Sequence, residues 1–239
     1  MNVGFERIAP VPQHPADSTP AQLSGRNWTS QAQVVTSFKT ELKATLPIAQ
    51  TGRCCFCRRL PYDDYAVHLE HFVDQGTHEA YRFEIRNLAL SCGTCNVKKN
   101  GYFKTWAYRY KRLTKNPAAL QIPTLNTQLN AGAPFPTSAT HFRWVNPYVH
   151  SYSDHIALAL GWVFTGMTPE GRRTIRGLQL NDLAKIEQRA LRERLQMRGG
   201  VLSTLTAAIG ECSQHRAREV AKTVATVIAR RRIAAKLVG

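Results

Sequence analysis

The run Arg86-Asn87-Leu88-Ala89-Leu90-Ser91-Cys92-Gly93-Thr94-Cys95-Asn96-Val97-Lys98-Lys99 decides how this chain is read. Its two cysteines stand two residues apart, a gap that lets both sulfurs of a tight turn reach one ion. Upstream, Cys54-Cys55-Phe56-Cys57 offers the same device, so Cys54, Cys57, Cys92 and Cys95 are expected to hold one tetrahedral structural Zn²⁺. Cys55 has the wrong spacing to join them and is expected to pack inward, and Cys212 is expected to be inert. The 34 residues between the pairs exceed an ordinary zinc-ribbon loop, so the intervening chain must hold something else.

That chain contains His68-Leu69-Glu70-His71-Phe72. From Arg53 to Lys99 the order C-x-x-C, Glu-His, Asn-Leu-x-Leu-x-C-x-x-C-Asn-x-x-Lys resembles the HNH endonucleases of the ββα-metal class, in a form whose last His is Asn. Hydrolysis of a phosphodiester needs a base for water, a divalent cation against the developing charge, and a scaffold fixing both. His71 is the expected base, since imidazole accepts a proton near neutral pH. Glu70 and Asn96 offer hard oxygens suited to a catalytic Mg²⁺ or Mn²⁺. The resemblance implies that Asn87 holds the loop and orients the base; Lys99 is placed to approach a phosphate, with Lys98 beside it. Adjacent residues of a regular strand face opposite ways, so His68 and Glu70 would share a face while Glu70 and His71 would not. The resemblance implies a strand end twisted enough for Glu70 and His71 to converge; His68 stays open as a helper.

Further on, Val145-Asn146-Pro147-Tyr148, Asp154-His155-Ile156, Gly161-Trp162-Val163 and Gly171 to Arg176 into Leu178-Gln179-Leu180-Asn181 resemble the trailing segment of PtuB-type nucleases from Septu and retron antiphage systems. This resemblance implies an effector nuclease beside a PtuA-like ABC-type ATPase and, for a retron, a non-coding RNA/msDNA complex. Where the family commonly has Arg-Pro-Lys after Glu-His-Phe, this chain has Val73-Asp74-Gln75, which removes a basic substrate contact.

The 239 residues carry 32 Lys and Arg against 16 Asp and Glu, a formal net charge of +16 that points to a polyanionic partner. Residues 54–116 hold 11 basic and 6 acidic side chains, and residues 147–239 hold 15 and 7. Lys185, Arg189 and Arg192, and the consecutive Arg230, Arg231 and Arg232, read singly as solvated helix faces; their shared sign favours phosphate contact, DNA or structured RNA alike. The longest apolar run, Ile156 to Phe164, includes a glycine and is too short to span a bilayer, and the proline-rich start lacks a secretory h-region. No membrane and a cytoplasmic location are expected.

The expected fold class is α+β, mainly helical, with a zinc-stabilised ββα-metal finger flanked by helices. Residues 1–29 read as an irregular arm and 30–116 as the nuclease domain, opening with a helix from Ser30 to Leu46 closed by Pro47 and Thr51-Gly52. Residues 117–146 read as a linker and 147–239 as a basic, mainly helical region, with Pro169-Glu170-Gly171 as a turn and Asn181 as an N-cap. A non-catalytic zinc-ribbon binder or an assembly subunit is the alternative function; it would need the cysteines and the basic surface but not Glu70, His71, Asn87 and Asn96.

Overall fold

The structure, a computed structural model, describes residues 3–60, 67–76, 78–113, 123–126, 133–158, 163–182 and Lys222. It has two compact units, Met1–Asp182 and Leu183–Gly239. Lys185, Arg189, Arg192, Cys212 and Arg230 to Arg232 therefore lie outside the described residues, as does the part of the expected helical region beyond Asp182 apart from Lys222. Among the described residues no helix is long and apolar enough to cross a membrane.

Among those residues the first unit is α+β, with five helices and two two-stranded antiparallel sheets. Helix α1 (Pro20–Leu23) is one turn long, and the Gln22 side chain reaches back to accept the Thr19 N–H at 2.9 Å. Helix α2 (Gln33–Ala49) buries Val35, Phe38, Leu42 and Leu46, one stripe at helical spacing. Pro47 does not end this helix but sits in its last turn. The chain turns at Thr51 and Gly52, whose φ values are +49° and +67°. Strands β1 (Val67–His71) and β2 (Leu88–Cys92) pair with Val67 opposite Cys92 and His71 opposite Leu88, and helix α3 (Gly93–Leu113) follows β2 without a loop and packs on both strands. The order strand, strand, helix thus forms around the cysteine and histidine run.

The second sheet pairs β3 (Ile156–Leu158) with β4 (Phe164–Gly166), between the single-turn helix α4 (Tyr152–His155) and helix α5 (Pro169–Leu178). The expected turn at Pro169-Glu170-Gly171 is the first turn of α5. Thr168 caps it by accepting the Gly171 N–H at 3.2 Å, and a proline in the first turn sacrifices a donor that has no helical partner anyway. Asn181 caps nothing that is described; its amide holds Phe164 of β4 from both sides, at 2.8 Å each way.

Apart from α1 in the arm and a 3₁₀ turn at Ala139–His141, the arm and the linker depart from expectation in packing rather than in secondary structure. Phe5, Ile8 and Leu23 of the arm are buried, and so are Leu125, Phe142, Trp144 and Val145 of the supposed linker. Both segments are irregular because their backbone donors are satisfied locally or across the fold, as when Ile8 N–H donates to Pro147 O at 2.8 Å and Leu125 bridges Phe142. Apolar side chains scattered among prolines give no period, so this burial is invisible in the sequence. The Asn146-Pro147-Tyr148 motif is part of this stitching: Asn146 Oδ1 accepts the Tyr148 N–H at 2.8 Å, and the Tyr148 hydroxyl donates to Leu88 O at 2.5 Å, tying the segment to β2.

Candidate active site and cysteine metal centre

The four cysteines converge. The Sγ atoms of Cys54, Cys57, Cys92 and Cys95 all lie within 4.8 Å of one another, and Cys57 and Cys92 are 3.9 Å apart. A zinc tetrahedron with bonds of about 2.3 Å has edges of about 3.8 Å, so the quartet has the size and donor type for a structural ion such as zinc. Burial alone would raise Cys54, but the sulfur contacts from Cys55, Cys57, Cys92 and Cys95 bring it well below an ordinary thiol. Contact with Cys54 pushes Cys57 and Cys95 well above it. Cys55 is buried outside the quartet, as its spacing implied.

Local hydrogen bonds shape the first turn. Cys54 N–H donates to Arg59 O at 2.9 Å, Arg58 N–H donates to Cys54 O at 3.0 Å, and Cys55 N–H donates to Leu90 O at 2.8 Å, fastening the turn to β2. Gln50 completes the fastening. Its side chain donates to Arg53 O and Leu90 O and accepts the Leu90 N–H at 2.8 Å, standing in for a third strand along β2. Arg58 occupies a left-handed position, φ +56°, where glycine is the easier residue. Its buried guanidinium lies 3.6 Å from the Phe5 ring centroid and 4.3 Å from that of Tyr152, and donates to Cys55 O and Glu6 O. The arm thereby locks the turn, a contact for which the sequence has no local signal.

At the opposite end of the β1–β2 pair, His71 closes β1. Its Nε2 is 2.9 Å from Arg82 O, and a carbonyl only accepts, so Nε2 carries the proton and Nδ1 the lone pair. The ring meets Trp28 of the arm edge-on, with centroids 4.4 Å apart. Burial lowers its pKa to about 4, leaving a neutral imidazole at physiological pH. Asn87 does hold the loop: Oδ1 accepts the Val73 N–H at 2.7 Å, while Nδ2 donates to Val73 O at 3.0 Å and Tyr81 O at 2.9 Å.

The remaining site residues are placed otherwise than expected. Lys99 does not reach toward a phosphate; it is 2% exposed and pairs with the Glu70 carboxylate, also donating to His71 O. Burial raises the Glu70 pKa against the pull of Lys99. Asn96 Oδ1 accepts from Asn100 at 3.0 Å, one helical turn along α3. The two oxygen donors expected for Mg²⁺ or Mn²⁺ are thus engaged within the protein, and the Lys99 ammonium holds the cation's position beside Glu70. As arranged, the set does not fit a divalent ion. His68 is exposed whereas Glu70 is buried, so strand parity does not make them one site, and Glu70 and His71 meet through Lys99 rather than side by side. Lys98 contacts Gln179 and lies 3.9 Å from Asp182. His78 is half-buried and stacked on Tyr81.

No protein-family model matches this chain, and neither does any curated protein or solved structure.

Proposed function

We propose that this chain is an HNH-type nuclease that hydrolyses phosphodiester bonds in nucleic acid, with His71 as general base. The observation that carries the reading is the neutral His71 at the end of β1, its Nε2–H spent on Arg82 O and its Nδ1 lone pair left for chemistry. In the proposed step Nδ1 takes a proton from water as the water oxygen bonds to phosphorus. The bond from phosphorus to the leaving oxygen breaks, and that oxygen is protonated from solvent. A pKa near 4 keeps the base free at neutral pH, though it makes it weaker than a base matched to the medium. Asn87 fixes the loop that follows His71, and the cysteine quartet brings together β2, α3 and the Cys54–Cys57 turn.

A second reading, a zinc-ribbon module that binds nucleic acid without cutting it, draws on one observation: Lys99 neutralises Glu70 inside the protein. The two readings differ in a single assay. Zinc-loaded chain is incubated with supercoiled plasmid, nicked duplex and structured RNA, with and without added Mg²⁺ or Mn²⁺. New ends in any substrate support the nuclease, and retention of intact substrate supports the binder. The role in antiviral defence beside an ATPase rests on the resemblance of residues 145–181 alone, and co-purification with such a partner from the native operon is its test.

A further inference from the structure

Helix α5 presents one side to the protein and a different chemistry to solvent. Gly171, Thr174, Gly177 and Leu178 are buried, whereas Arg172, Arg173 and Arg176 are exposed. The small residues let the helix lie unusually close to its neighbours. A Cβ at Gly171 would come 2.0 Å from His155 O, and one at Gly177 would come 2.1 Å from the Trp144 ring. Thr174 adds a fixed point, since its hydroxyl accepts the Val145 N–H at 2.9 Å. Both ends are closed as well, by the Thr168 cap and by Gln179 in the left-handed region at φ +50°. The three arginines are therefore carried on a clamped scaffold.

The row continues beyond α5. Arg172, Arg176 and Gln179 follow at intervals of four and three, one stripe of a helix, and Gln179 accepts from Lys98 of α3. At 1.5 Å per residue the stripe runs roughly 10 Å before it reaches Lys98, and Lys98 is two residues from Asn96. The acidic groups of this side are engaged: Glu170 lies 3.6 Å from Arg173 and 4.0 Å from His155, and Asp182 lies 3.9 Å from Lys98. Arg172 and Arg176 lie on the stripe that leads to Lys98 of α3 and Arg173 lies beside it, so three exposed guanidiniums and an ammonium stand against these two carboxylates.

We propose that Arg172, Arg173 and Arg176 of α5, continued by Lys98 of α3, form a phosphate-binding track for the backbone of a nucleic acid. The proposal rests on the nuclease reading for the identity of the polyanion, but its test requires no cleavage. Guanidinium and ammonium both suit phosphate, and a backbone contact of this kind carries no sequence preference.

The test is the salt dependence of binding, measured by fluorescence anisotropy with a labelled duplex and a labelled structured RNA. The full chain is compared with Arg172→Gln/Arg173→Gln/Arg176→Gln, in which glutamine keeps the packing stem, and with the triple Lys variant, which keeps the charge. Each phosphate of duplex DNA that the protein no longer neutralises removes about 0.9 from the slope of log affinity against log salt, so the Gln variant should drop roughly 2 to 3 from it. The Lys variant should stay near the parent, and melting temperatures should agree across the three, showing that the helix remains docked. A parent that binds nucleic acid with a slope unaltered in the Gln variant overturns the track and leaves the nuclease reading standing. A parent with no affinity for either probe overturns both. Unaltered nucleic-acid binding with loss of a co-purifying acidic protein assigns the face to that protein and overturns the proposal.

Discussion

The two ends of the β1–β2 pair are built on opposite principles. At the Cys92 end, four thiols crowd together as a donor set that could hold a cation. At the His71 end, the polar groups are matched within the chain: His71 by Arg82 O, Asn87 by Val73 and Tyr81, and Glu70 by Lys99. The first end offers a donor set for an ion from outside the chain, whereas the second pairs its polar groups within it. That contrast separates a site that could hold a structural metal from a polar site matched by the protein itself.

The largest effect should come from the sulfur end. Cys54→Ser, or chelation of the metal, should unfold the finger, because structural zinc contributes on the order of 10 kcal/mol in small modules. Metal content and a thermal melt check this, and a folded chain with less than about half an equivalent of zinc would erase the contrast. Next is the buried ion pair. Lys99→Met should cost about 3 to 5 kcal/mol by stranding the Glu70 carboxylate, and adding Glu70→Gln should recover much of it. Denaturant unfolding of the single and double variants measures both. If Lys99→Met is nearly neutral, the pair is solvated and Glu70 is free to accept a cation.

The smallest effect lies in pH. The His71 pKa falls from an ordinary value near 6.5 to about 4 in the folded chain, so its contribution to stability is present above 6.5 and is lost as pH falls toward 4. At 1.36 kcal/mol per unit the loss comes to about 3 kcal/mol. His71→Gln should flatten stability across that window relative to the parent. Parallel curves for the two proteins would mean that the ring is already solvated.

The same contrast explains what the sequence can reveal. Cys54 and Cys57, like Cys92 and Cys95, are two residues apart, and a turn of that size is decided locally; only their meeting is long-range. Helix α2 announces itself through Val35, Phe38, Leu42 and Leu46, although Pro47 reads as a stop and is not one, because a proline in a last turn takes away little that packing does not restore. At the His71 end the partners come from afar. Trp28 is 43 residues from His71 and Lys99 is 29 from Glu70, and neither side chain carries a sign of its mate. Motif spacing suggests that Lys99 faces a phosphate, since a lone lysine looks solvated until its carboxylate is found. The arm is illegible for a related reason: Phe5, Ile8 and Trp28 lie among prolines and polar residues without a period, so their burial follows from the tertiary fold alone.

Cleavage by the His71→Ala chain is the most direct test of the central claim. Zinc-loaded parent and variant, matched in metal content and melting at pH 7.5, are assayed in single turnover on whichever substrate the parent cuts. Loss of a general base should slow cleavage by about 10² to 10⁴ while binding affinity stays close to the parent's. A variant that cuts at the parental rate, or a folded and zinc-loaded parent that cuts no nucleic acid at all, would contradict the assignment of this site as a nuclease centre.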